Sequence, residues 1–297
     1  KVENMQLQHT AYLSSRSVRL EVLPEPQRTR TLTVVDRTVE PLPAPVRSFT
    51  PPLPRRQRLP NGLEVLLVEK RDVPLVSFGL AFRTGGITDP PSKPGLAAFT
   101  GSMLQEGTAT RTSQQIADQF EQMGAQISIS TGREQTVIAT ATLAKHWTKA
   151  MEIIADVAQN PTFPQHELDR VRRERLTSLR RMKDDAAAMA GRAMPMLLQG
   201  RDSPYGHPLF GTEDALSHIS RNDLASYFSG AFGPGNATLV VSGDVAVQEV
   251  VGIAQQYLGN WKGVAGGQGK PLEQRPPALA TTTVFLLDKP GAAQSVI

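Results

Sequence analysis

Short apolar runs bounded by turn residues recur along the chain. Residues 63–69 follow a Pro60, Asn61, Gly62 turn, and residues 75–82 follow Pro74; both are predicted strands. Residues 126–130 and 135–142 alternate apolar with polar, the strand period of two, and predict a hairpin around Gly132. Residues 237–242 form a further apolar run of the buried-strand kind. Helical spacing appears between these runs. Pro94 opens a helix over 95–104, as proline suits a first turn whose N–H has no partner. Thr112 with Gln115 makes a capping box, followed by Ile116, Phe120 and Met123 and a stop at Gly124. Further helices are predicted over 145–158, 165–183, 185–199 and 247–258. Helices cluster in the middle and strands pair largely as hairpins. The pattern predicts an α+β fold: a two-layer sandwich with a mostly antiparallel sheet covered on one face by helices.

Outside this module the pattern is thinner. Val18, Leu20 and Val22 suggest a strand over 17–23. Residues 1–40 form no domain of their own. Prolines at 41, 43, 45, 51, 52 and 54 mark a linker over 41–54, since proline-rich segments stay extended. The module then runs over 55–263. A linker rich in glycine and proline covers 264–280.

Composition narrows the function classes. In 297 residues, 39% are hydrophobic and 20% charged, as in a globular protein, and no apolar run is long enough to span a bilayer. Residues 1–10 lack the apolar stretch of a secretory signal. The net charge of +4 is mild, and the densest basic run, Arg170 to Arg175, is interleaved with Glu and Asp. It reads as a solvated helix face, not a nucleic-acid stripe. The chain has no cysteine, which excludes disulfides, thiol catalysis and Cys-bound metal. A periplasmic or secreted bacterial setting is compatible with that composition.

One segment carries the chemical argument. Residues 95–108 read Gly-Leu-Ala-Ala-Phe-Thr-Gly-Ser-Met-Leu-Gln-Glu-Gly-Thr. The frame of Gly95, Leu96, Ala97, Phe99, Met103, Leu104, Gly107 and Thr108 resembles the zinc-site helix of the pitrilysin/insulinase metallopeptidases. There the segment runs G-L-A-H-F-L-E-H-M-L-x-x-G-T. Three more segments are similar to that family and stand in its order: Leu-Pro-Asn-Gly-Leu-Glu-Val at 59–65, Pro-Tyr-Gly-His-Pro-Leu-Phe-Gly-Thr-Glu at 204–213, and Asn-Ala-Thr-Leu-Val-Val-Ser-Gly-Asp at 236–244. In the family, H-x-x-E-H supplies two zinc ligands and a general base. Here those positions are Ala98, Gly101 and Ser102. Ala and Gly have no donor atom, a neutral Ser hydroxyl is a poor zinc ligand, and no base remains to activate water. No catalytic residue and no bound metal are therefore expected in this chain.

The resemblance also implies that 1–40 is the C-terminal tail of a preceding domain and that 281–297 is the start of a following, truncated homologous domain. It implies two assignments within the module as well. The family's third ligand and a second Glu two helical turns before it fall on Glu174 and Glu167, read as vestiges that pair with Arg170 or Arg173. The family's substrate-binding edge strand falls on Gln126, Ile127, Ser128, Ile129 and Ser130, where a peptide adds to the sheet through backbone groups. The five histidines, at 9, 146, 166, 207 and 218, include no pair at metal-ligand spacing. Together these features imply the non-catalytic half of a zinc metalloendopeptidase, inactive by itself, lining the chamber and helping to bind substrate peptide. A catalytic half, in the same polypeptide or a paired subunit, would carry zinc. The alternative is a catalytically dead structural or assembly scaffold of the same fold. Neither reading needs nucleic acid or a membrane span.

Overall fold

Alternation along the strands becomes one buried and one open sheet face. Val65 and Leu67 of β2 (Glu64–Glu69), Val76, Phe78, Leu80 and Phe82 of β3 (Leu75–Phe82), Ile138 of β5 (Thr136–Leu143), and Leu239 and Val241 of β6 (Ala237–Gly243) are all buried. Between them Val240 is 44% exposed. The computed structural model describes residues 50–263, residue 281 and residues 283–289. The tail over 1–40 with its strand at 17–23 and His9, and the linker over 264–280, lie outside the described residues. So do most of 41–54 and of 281–297.

The six strands among the described residues lie in the order β1-β2-β6-β3-β5-β4, with β1 (Arg55–Arg58) and β4 (Ser128–Thr131) at the edges. β2 and β6 run parallel and every other neighbouring pair is antiparallel. Eight α-helices occur among the described residues: α1 (Leu96–Met103), α2 (Ser113–Gln122), α3 (Trp147–Gln159), α4 (Gln165–Asp184), α5 (Ala186–Gln199), α6 (Glu213–His218), α7 (Arg221–Ala231) and α8 (Val247–Leu258). The fold is thus the expected α+β arrangement of a mostly antiparallel sheet and helices.

The core joins early and late parts of the chain. Phe82 packs on Phe232 with ring centroids 4.7 Å apart and on Trp261 at 5.9 Å. Burying a side chain of this size contributes about 1.5–3 kcal/mol. Trp147 meets Phe78 edge-on and donates its indole N–H to Glu249 at 2.7 Å, fastening α3 to the sheet and to α8. The capping box at Thr112 and Gln115 forms as read.

Three elements had no counterpart in the sequence reading. β1 is Arg-Arg-Gln-Arg, wholly exposed, and exists by pairing with β2. α6 is short, and α7 buries only Leu224 and Ala231, too little for a clear apolar stripe. β4 begins at Ser128, two residues later than the alternation suggested.

Candidate functional site

The motif helix is fixed at its start by backbone geometry. Gly95 precedes α1 with φ +91°, in the left-handed region, and a Cβ there would lie 2.6 Å from the Cα of Gly211. Gly211, itself at φ +84°, touches it. This pair lets the 203–211 loop lie directly on the entrance to α1, an approach closed to residues with side chains. Asp89 completes the entrance. Its carboxylate accepts the N–H of Gly95 and of Ala97, each at 2.7 Å, and so satisfies two donors that a helix start leaves over. Burial pushes its carboxyl up to about 7, against the pull of those two N–H groups and of the Arg175 charge.

Ala98 and Ser102 sit one turn apart on α1, both half-buried, with Gly101 buried between them. The Ser102 hydroxyl donates to the Ala98 carbonyl at 2.9 Å. It also accepts from the Arg175 guanidinium, Nη1 to Oγ at 3.0 Å. Arg175 is 7% exposed and comes from α4. Its Nη1 donates to the Ala98 carbonyl and its Nη2 to the Phe210 carbonyl, each at 3.3 Å. Its Cζ lies 4.4 Å from the Phe210 ring centroid and 5.5 Å from that of Phe99. Burial pulls the guanidinium down to about 10, against the attraction of Asp89.

Gly101 is filled from the other side. A Cβ there would stand 2.3 Å from the Oγ1 of Thr131, the last residue of β4. A glutamate side chain at this position has no room unless Thr131 moves. These residues do not fit a zinc ion: two of the three motif positions lack a donor, the third is bound to a cation, and the base's place is taken by a threonine. Among the described residues, no group of three His, Asp or Glu is arranged to hold a metal.

Glu167 and Glu174, the carboxylates singled out in the sequence, both meet Arg170. Its Nη1 donates to Glu174 at 2.8 Å, its Nε to Glu167 at 2.6 Å and its Nη2 to Glu106 at 2.5 Å. The Glu174 side chain is 61% exposed and that of Glu167 14%. The hydrogen bond from Arg170, outweighing burial, holds the Glu167 carboxyl below the usual range, and Ser113 adds another at 3.1 Å. Arg170 was foreseen as a partner; the buried partner of Ser102 was not. A signal for it existed, since Arg175 falls on the apolar stripe of Leu168, Val171 and Leu179.

β4 occupies a sheet edge. Ser128 and Ser130 are exposed, while Ile127 and Ile129 pack against the core. Just before the strand, the Gln126 carbonyl accepts from the Thr140 hydroxyl at 2.8 Å. Beside it opens a cavity of about 520 Å³, lined by Glu106, Phe120, Gln126, Ile127, Glu167 and Arg170. A larger one, about 650 Å³, lies away from the motif between α4 and α5, against Leu179, Met189 and Met196. The described histidines stand apart: the His166 side chain is 80% exposed beside Glu167, and His218 contacts Asp214 within its own helix. No helix among the described residues is long and apolar enough to cross a membrane.

Comparison with known proteins agrees with this geometry. The sequence pattern of the insulinase family, peptidase family M16, matches residues 64–203, and that of the peptidase M16 inactive domain matches residues 218–297. An uncharacterized zinc protease of Rickettsia felis is 27% identical over 205 residues, covering 69% of this chain and 50% of the relative. Subunit 1 of the human mitochondrial cytochrome b-c1 complex is 27% identical over 205 residues, covering 68% of this chain and 42% of the relative. The crystal structure of a peptidase M16 inactive domain from Pseudomonas fluorescens superposes with a TM-score of 0.66 at 27% identity, covering 69% of this chain and 50% of that one. The chain spans about half the length of the first curated relatives it matches.

Proposed function

Because the chain belongs to the insulinase family of zinc metallopeptidases and lacks that family's metal ligands, we propose that it is the non-catalytic half of a two-part peptidase, a pseudoenzyme by itself. Zinc and hydrolysis reside in a partner half, in the same polypeptide or a paired subunit. This half forms chamber wall and offers β4 as an edge to which an extended peptide adds by backbone hydrogen bonds. A periplasmic setting belongs to this reading, and the lack of cysteine is compatible with it.

The observation that carries the reading is the filled motif: Arg175 bound to Ser102, and Thr131 against Gly101. The chemistry of hydrolysis needs a polarised water and a base to deprotonate it. Neither Ala98, Gly101 nor Ser102 offers one. What the chain retains is a carboxylate and arginine cluster beside an open strand edge, suited to holding a peptide but not to cutting one.

The test is a peptide-cleavage assay on the purified chain with added zinc, followed by hydrogen exchange with an extended peptide. No cleavage is expected, together with slower amide exchange over 126–131 and no change at the opposite edge, β1. Cleavage that a chelator abolishes and zinc restores would sink the proposal. Likeness to a subunit of the mitochondrial cytochrome b-c1 complex favours a second reading, a scaffold without peptide binding. That reading predicts no protection at β4.

A further inference from the structure

Arg175 is an expensive residue in its place. A guanidinium withdrawn from water costs several kcal/mol unless its donors and charge are met. Here Nη1, Nη2 and the charge are met from separate segments, while Nε is buried without a hydrogen-bond partner. Nη1 is shared between the Ala98 carbonyl and the Ser102 hydroxyl of α1, and Nη2 reaches the Phe210 carbonyl of the 203–211 loop. The rings of Phe99 and Phe210 lie within cation–π range, and Asp89 supplies the opposing charge. Two of the three α1 and loop acceptors belong to the positions that correspond to the family's metal-binding histidines. The contacts therefore gather on the ground where an ion would have tied the same helices together.

We propose that Arg175 has taken over the structural place of the metal: its guanidinium ties α1, α4 and the 203–211 loop together, and it closes the old site to zinc. The proposal rests on the non-catalytic reading only through its alignment of Ala98 and Ser102 with the lost ligands. It differs from a mere loss of ligands in one consequence. Restoring both histidines is not enough to restore metal binding, because the guanidinium stands between them and Glu174 points to Arg170.

Two variants of the full chain separate these ideas. Ala98→His with Ser102→His is expected to retain no zinc after dialysis, by elemental analysis. Adding Arg175→Glu removes the cation and brings a carboxylate to the same spot, completing three protein ligands. That variant is expected to retain about one zinc per chain and to melt higher with zinc than without. Equal zinc retention by both variants would overturn the proposal, as would a folded triple variant that retains none. Neither result touches the non-catalytic reading, which falls only to zinc-dependent cleavage by the unaltered chain.

A second pair tests the tie without metal. Arg175→Met, which removes the donors to the α1 and loop acceptors and the charge facing Asp89, is expected to lower Tm by about 10 °C, the shift of losing a buried, hydrogen-bonded charge in a domain of this size. Arg175→Lys keeps the charge without the planar fork and is expected to fall between. An unchanged Tm in Arg175→Met would overturn the proposal. Should the zinc variants fail to fold, this pair decides the matter alone.

Discussion

Asp89 and Asp156 are both buried carboxylates, and they answer to pH in opposite senses. Folding raises the Asp89 carboxyl from 3.8 to about 7. Between those values the folded chain holds a proton that the unfolded chain releases. The contribution of this group is therefore fully present below about pH 4 and is lost as pH rises to about 7, up to about 4 kcal/mol in all. Asn at position 89 is expected to flatten this slope, read as urea midpoints across pH 5 to 8. At Asp156 burial alone would raise the carboxyl, but hydrogen bonds from Thr108, Asn160, Thr110 and Arg111 prevail and hold it below the usual value. Its contribution is present at neutral pH and is lost as pH falls through the acid range. At this scale the sequence was legible where chemistry had vanished, at Ala98, Gly101 and Ser102, because the surrounding frame fixes their register. It was not legible at Asp89 or Thr131, whose roles depend on what the fold lays beside them. Arg175 stands between these cases: its place on an apolar stripe shows in the sequence, but its partners do not.

Elements were read best where their ends are written in the chain. α2 carries its own capping box, and α4 begins after Pro164. β1 depends on its surroundings, and nothing local announces it, whereas α7 carries a capping box at Ser220 and Asp223 but too thin an apolar stripe to stand out. The junction of α1 with β4 is also a product of folding, and it is testable. Gly101→Ala sets a methyl 2.3 Å from Thr131 Oγ1, whose χ1 is stiff and whose hydroxyl already accepts from Thr136 at 3.2 Å. A loss of about 1–3 kcal/mol is expected from such overpacking. Adding Thr131→Ala is expected to return most of it, seen as coupling in a double-mutant cycle of urea midpoints. α5 is the contrasting case. It holds Pro195 in its interior and buries no residue. Its amides are expected to exchange soonest among the long helices, since little apolar contact opposes local opening.

For the whole molecule, the sequence showed five of the six described strands but not their order. β2 and β3 are successive in the chain and read as natural neighbours, yet β6 lies between them. Pairing of β6 with both is a tertiary choice, made by the inward faces of Leu239 and Val241 and invisible to local periodicity. The choice implies that the sheet has no stable form without β6. A chain ending at Gly263 is expected to keep a cooperative thermal transition, whereas one ending at Gly235 is expected to melt without one. A sharp transition in the shorter chain would mean that β2 and β3 close on each other, contrary to the observed register.

The same strand order sets a timetable. Glu64 on β2 and Thr238 on β6 become neighbours across 174 residues of chain. At about 5–20 residues per second, a ribosome needs roughly 10–35 s to deliver the second strand after the first. For most of that interval β2 and β3 have emerged without the strand that separates them, and the edges that β6 will pair stay open to any passing chain. In the cell, the yield of this protein depends on what shelters those two strands while they wait.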